Sequence, residues 1–282
     1  MLDLDAVAAF VAVVETGGFH AAARRLGVSQ PAVTQKVRRL EQSLGVLLLD
    51  RHRRGCVPTA AGAAFLARAR RALEAARRAE TVFAGRSLVV GAATNPGIYL
   101  LPKLIGPGVE LRLGTNPETV ERLECGEVDL AVLEWWDDRP GFEAFPWREE
   151  PLIGIVPPGH RFAGRDAVPL AEFLAEPLIG GEPGTGTARL LAEALQGAPL
   201  PPPARVMGST DGVKRAVAAG LGVSVVLACA VRDEIAAGSL VPVKFSGAVL
   251  RRRFFVVLPD GLPETAPEIA FLHRLRNTPD SR

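Results

Sequence analysis

Residues 18–45 read GFHAAARRLGVSQPAVTQKVRRLEQSLG. At about 100° per residue, Gln30, Thr34 and Arg38 fall along one edge of a helix, with Pro31 and Gln35 beside them. Val33, Val37, Leu40 and Leu44 fall on a separate stripe. Those side-chain types at that spacing can read base edges in a DNA major groove. Gln pairs bidentately with adenine, Arg with guanine, and Thr touches a thymine methyl or a phosphate.

Other elements must hold that face outward. Leu4, Val7, Phe10, Val11 and Val14 share one side of a first helix, which Gly17-Gly18 ends. A second helix runs from about Phe19 to Leu26, with Ala21, Ala22 and Ala23 allowing close packing. Gly27 can take the left-handed turn after it. Ser29 then caps the third helix, with Pro31 in its first turn, where a missing N–H costs nothing. Two helices joined by a short glycine turn, the second displaying hydrogen-bonding groups, form a helix-turn-helix. In LGVLLLDRHRRGCVPTAAG, two apolar runs flank Arg51-His52-Arg53-Arg54-Gly55. That predicts a β-hairpin wing whose Arg51, Arg53 and Arg54 reach phosphate or the minor groove.

Charge agrees. Through Ala84 there are 13 Lys+Arg and 7 Asp+Glu, while the remaining residues carry 20 and 24. A basic third on an acidic body suits a polyanion partner. Residues 59–84, with Thr59 as N-cap, predict one long helix. Phe65, Ala69, Ala72, Ala76, Ala79 and Phe83 recur at steps of four and three, a heptad seam for dimerisation. The competing reading packs this helix against its own domain.

From Arg86 the texture changes. SLVVGAAT, VELRLGT, VDLAVLE, PLIGIVPPGH, EPLIGGEPGTG, ARVMGST, GVSVVLA and RRFFVVLPDG read as strands alternating with helices. This predicts parallel sheets in two α/β lobes, with a hinge near GIVPPGHRF and a cleft between. No apolar run reaches the roughly 18 residues of a membrane span. The start, MLDLDAVAAF, is acidic where a secretory signal would be basic, so the expected location is the cytoplasm, with no membrane partner. Cys56, Cys125 and Cys229 are scattered and odd in number, so neither disulfides nor a metal site is expected.

The stretch TGGFHAAARRLGVSQPAVTQKVRRLEQSLGVLLLDRHRRG followed by PTAAG resembles the LysR-type transcriptional regulators. Ser29-Gln30-Pro31-Ala32-Val33, Leu40-Glu41, Leu44-Gly45-Val46 and Arg51 carry the match. The resemblance implies an α+β chain: a winged helix-turn-helix at 1–58, a dimerisation linker helix at 59–85, and a two-lobed α/β effector domain like a periplasmic binding protein at 86–282. Lobe I would take about 86–156 and 253–282, lobe II about 157–252. It implies a homodimer or homotetramer on an interrupted palindromic site in double-stranded DNA, a small-molecule effector, and RNA polymerase as a further partner open to such a regulator. His20 and Leu49 depart from the family's small polar residue and Phe, and LLPKLIGPGVELRL is shorter than its usual first effector-domain helix.

Ligands in such sheets sit at the carboxyl ends of strands, against helix N-termini. Thr94 and Asn95 follow the first strand; Thr115, Thr185, Gly186, Thr187 and Ser209 stand at other helix starts. Together they are the expected effector residues, suited to a small carboxylate or oxyanion. EPGTGTAR resembles the REPGSGTR segment of some LysR-type regulators, with Gly181 and Ala188 in place of two arginines. Trp135 and Trp136 either line the cleft or cover the sheet. No cofactor is expected. No GxSxG, Walker loop, HExxH or GxGxxG after a strand argues for an enzyme. A ligand-independent DNA-binding protein with an idle solute-binding-like domain is the alternative.

Overall fold

The computed structural model describes residues 2–52, 55–81, 87–181, 185–195 and 199–278, with the backbone alone at Arg51, His52, Gly55, Arg78, Glu80 and Thr81. Internal contacts divide the chain into two compact units. One comprises Met1–Val89, Gly108–Glu110 and Val120–Asp129; the other comprises Val90–Pro107, Leu111–Thr119 and Leu130–Arg282.

The first unit begins with α1 (Leu4–Thr16), α2 (Phe19–Leu26) and α3 (Gln30–Leu44). Each start and stop has a local cause. Asp3 Oδ1 accepts from the Asp5 and Ala6 amides at 3.0 and 3.3 Å, capping α1. Gly27, at φ +67°, ends α2 in the left-handed region and donates to the Ala23 and Arg24 carbonyls. Ser29 Oγ accepts from Ala32 N at 3.4 Å, opening α3. Val7, Phe10, Val33, Val37 and Leu40 are buried together, whereas Leu4 and Leu44, at the ends of their stripes, stay 43% and 37% exposed. Fully burying a side chain such as Phe10 contributes roughly 2–3 kcal/mol.

The wing is a hairpin of β1 (Leu49–His52) and β2 (Gly55–Pro58), with Leu49 opposite Pro58 and Arg51 opposite Cys56. Glu41, 8% exposed, ties it to α3: its Oε1 accepts from the Leu48 and Leu49 amides at 2.9 and 3.1 Å. Thr59 caps the long α4 (Ala60–Thr81), accepting from Gly62 N at 3.0 Å. A Cβ at Gly62 would overlap the Leu48 carbonyl, so this glycine lets α4 start directly against the wing.

The heptad reading of α4 needs correcting at its start. Phe65 packs on Phe10 with ring centroids 5.6 Å apart, and Ala69 is 1% exposed within the same core. The core under α1 needs a lid, and the first turns of α4 provide it. Ala72 and Ala76 are half-buried and Ala79 is exposed; Phe83 lies outside the described residues.

The rest of the chain builds a mixed sheet. In order come β3 (Leu88–Ala93), α5 (Thr94–Tyr99), β4 (Val109–Gly114), α6 (Asn116–Cys125), β5 (Leu130–Leu133) and the long β6 (Phe142–Val156). Then follow β7 (Val168–Pro169), α7 (Leu170–Leu174), α8 (Gly186–Ala194), α9 (Thr210–Ala218), β8 (Ser224–Leu227) and α10 (Arg232–Ala236). The chain closes with β9 (Val241–Val243), β10 (Phe245–Ser246), β11 (Arg251–Pro259) and α11 (Pro267–Asn277). Strand order is β4-β3-β5-β11-β6-β8, with β9 also on β6.

The expectation of parallel sheets holds for β3 with β5 but not for β6 and β11. β11 runs antiparallel to β5 and to residues 142–151 of β6, and β8 and β9 run antiparallel to residues 152–156. The reason is topological. The chain crosses between the two halves of the sheet once in each direction, and the crossings lie side by side: Arg251 pairs with Pro151, and Leu152 N donates to Leu250 O at 2.9 Å. The expected strands at EPLIGG and ARVMG reduce to single bridges, Leu178 with Val223 and Ile179 with Arg205. A buried cluster around Phe162, Phe173 and Phe254 fills the second half.

Candidate effector site and DNA-contacting face

The expected DNA-contacting residues stand at the first turn and outer face of α3. Ser29, Gln30, Pro31, Gln35 and Arg38 are exposed and Thr34 is half-buried. The neighbouring Lys36 is drawn aside by Asp5 at 2.7 Å. Arg51 sits on β1, while Arg53 and Arg54 lie outside the described residues.

Thr94, Asn95, Thr115, Thr185, Gly186, Thr187 and Ser209 all line one cavity of about 230 Å³. Three helices of nine or ten residues, α6, α8 and α9, begin at its wall. Their hydroxyls have local work. Thr115 forms a capping box with Glu118, its amide donating to Glu118 Oε2 at 2.8 Å and its Oγ1 accepting from Glu118 N at 3.3 Å. Thr185 Oγ1 accepts from Ala188 N at 3.2 Å, and Ser209 Oγ from Gly212 N at 3.1 Å. Thr94 Oγ1 donates to Gly114 O at 2.9 Å. The caps occupy the third amide of each helix and leave the first two amides of α8 and α9, at Gly186, Thr187, Thr210 and Asp211, without intrahelical acceptors. The positive ends of three helix dipoles thus meet at one place, which favours an anion. Trp135 lines the cavity, whereas Trp136 packs edge-on against Phe142 at 6.0 Å.

Two charged residues here escaped sequence reasoning. Glu134, directly after β5, lines the cavity and is paired with Arg252 of β11; their side chains are 9% and 3% exposed. Asn95 Nδ2 donates to Glu134 Oε1 at 2.8 Å, and the Glu134 amide donates to Asn116 Oδ1 at 2.8 Å. Burial pulls the Arg252 guanidinium below its ordinary value, against the pull of Glu134. Its Nη2 is buried without a hydrogen-bond acceptor among the described residues. The guanidinium abuts the start of α8: a Cβ on Gly186 would overlap Nη1 and come within 2.7 Å of Cζ and 2.9 Å of Nη2. Only a glycine there lets the cation approach the helix end so closely.

Contacts from α5 to α9 run beside the cavity. Thr210 Oγ1 donates to Asn95 Oδ1 at 2.9 Å, and Tyr99 Oη donates to Asp211 at 3.0 Å. Lys214 lies 5.1 Å from the Tyr99 ring centroid and bonds Asp211, Glu234 and the Ala230 carbonyl. Burial pushes the Tyr99 phenol up to about 12. Burial pulls Lys214 down, but Glu234 and Asp211 outweigh it and the net shift is upward. Asp211 is held below the ordinary carboxylate range, chiefly by the Lys214 ammonium.

Known proteins match along the same lines. Residues 4–63 match the bacterial regulatory helix-turn-helix protein, lysR family, and residues 84–279 match the LysR substrate binding domain. The protein PtxE of Stutzerimonas stutzeri is 40% identical over 186 residues, 63% of this chain and 95% of PtxE. The HTH-type transcriptional regulator CbbR of Sinorhizobium medicae (strain WSM419) is 33% identical over 272 residues, 87% of this chain and 83% of CbbR. Full-length CbnR in complex with its target DNA superposes with a TM-score of 0.64 at 27% identity, over 97% of this chain and 98% of CbnR. A recognition helix at one end and a substrate-binding domain at the other occur here in the family's order and over nearly its whole length, and the chain belongs to the LysR family of DNA-binding transcriptional regulators.

Proposed function

We propose that the 230 Å³ cavity is the effector site of this regulator and that its effector is a small anion, a carboxylate or an inorganic oxyanion. The observation that carries this is the meeting of three helix N-termini at one small cavity, with the Arg252 guanidinium packed beneath Gly186. An idle effector domain is disfavoured, because residues 84–279 match the LysR substrate binding domain. A bound anion would shift the angle between the two halves of the sheet by its difference in affinity for the two arrangements.

On DNA, Gln30, Thr34 and Arg38 read bases in a major groove, as the exposed outer face of α3 supports. CbnR, whose structure was solved with its target DNA, is the precedent for such docking. The wing arginines add sequence-independent phosphate contacts. Ala72, Ala76 and Ala79 remain open to a second α4 in a homodimer or homotetramer, which would place two recognition helices on a split, palindromic site. The protein works in the cytoplasm, where its DNA is; among the described residues no helix is long and apolar enough to cross a membrane. The test is a thermal-shift screen of acetate, glycolate, inorganic phosphate and sulfate, repeated as a gel-shift on a promoter fragment. A ligand at 100 times its Kd adds about 2.7 kcal/mol of stability. If none of the four raises the melting temperature, the cavity does not hold small anions.

A further inference from the structure

Among the described residues lining the cavity Glu134 is the one carboxylate, and that group says more about the ligand than the helix ends do. Glu134 Oε1 accepts from Asn95, and Oε2 accepts from Arg252. A carboxylate offers about four lone-pair sites, so roughly two remain for whatever fills the cavity. The group cannot swing away, since its amide is held by Asn116 and its oxygens by residues on two other elements. Nor does Arg252 make the cavity cationic, because its single charge is matched by that of Glu134. The attraction for an anion comes from the helix ends on one side. Where Glu134 lines the cavity, a ligand atom in contact with it meets a hydrogen-bond acceptor.

An oxygen without a proton, placed there, would set acceptor against acceptor and like charge against like. An O–H or N–H placed there completes a charge-assisted hydrogen bond. We propose that Glu134 is a specificity-determining residue. It requires the effector to be an anion that also carries a hydrogen-bond donor: a protonated oxyanion, or a carboxylate bearing a hydroxyl or ammonium group. This rests on reading the cavity as the anionic effector site.

The test is calorimetric titration of the full-length protein with two matched pairs. Glycolate and acetate differ in one hydroxyl. Inorganic phosphate keeps at least one proton at neutral pH, whereas sulfate keeps none. The donor-bearing member of each binding pair is expected to bind at least about tenfold more tightly. Glu134→Gln, whose amide can itself donate, is expected to shrink that preference or reverse it. Equal binding within the pairs, or a preference for sulfate and acetate, overturns the donor requirement and leaves the anion site standing. Binding by none of the four removes the site and the requirement together. The wild-type comparison decides the question even if Glu134→Gln does not fold.

Discussion

Gly186→Ala tests the junction of α8 and Arg252 most directly. Gly186 sits in the first turn of α8, in ordinary helical backbone, so alanine is not forbidden by its φ. Away from any obstacle the change should stabilise the helix by roughly 0.5–1 kcal/mol. Here the new Cβ meets the Arg252 guanidinium, 2.7 Å from Cζ and 2.9 Å from Nη2. The guanidinium has nowhere cheap to go, since the side chain is 3% exposed and tied to Glu134. Overpacking of that kind costs typically 1–3 kcal/mol, so after the helix gain the net loss should lie between about 0 and 2.5 kcal/mol. In an Arg252→Ala background the obstacle is gone and the same change should be neutral or stabilising. The assay is urea unfolding followed by tryptophan fluorescence. Trp135, Trp136 and Trp147 are the chain's three tryptophans, so the signal reports the effector domain and not the DNA-binding unit. Equal destabilisation in both backgrounds would refute the contact.

Other outcomes follow from the same structure. Gln30→Ala or Arg38→Ala should cost roughly 1–3 kcal/mol on the specific site and little on random DNA; equal losses on both would make these residues phosphate holders. Ala72→Glu with Ala76→Glu should lower the mass seen by light scattering, and an unchanged oligomer would exclude this face of α4 as the interface. Tyr99→Phe should flatten part of the fall in stability at high pH. With the phenol raised to about 12 by burial, the stability it carries is complete below its unfolded value near 10 and is lost as pH climbs between the two. A slope identical in wild type and variant over that window would show that Tyr99 does not titrate as placed.

The DNA-binding unit was legible because its signals are local. Asp3, Ser29, Gly27 and Thr59 announce helix ends within four residues, and the stripe Val33, Val37, Leu40 shows the helical period directly. The cavity was legible for the same reason, since its helix starts are written as Thr, Ser and Gly. What could not be read depends on distant pairings. Residues 142–150, FEAFPWREE, mix charge, proline and aromatics without alternation, yet they form the first half of β6 because β11 lies along them. Arg252 and Glu134 are 118 residues apart and meet only because β11 pairs with β5, Phe255 opposite Leu133. Ala69 looked like a seam residue because a helix's period shows which residues share a face, not what covers that face.

The two crossings between the halves of the sheet lie next to each other at Pro151 and Arg251, and that makes them a fulcrum. Sliding along the strands is blocked, because β6 is registered to β11 on one side and to β8 and β9 on the other. A rotation about the paired crossings would leave those registers intact. Arg252 is one residue from this fulcrum, on the crossing strand itself. A ligand that engages its partner Glu134, which lines the cavity, would therefore act at the short end of a lever whose long arms are the two halves of the domain. A sub-ångström change in how Arg252 is held needs no chain of intervening side chains to become a larger movement at the periphery.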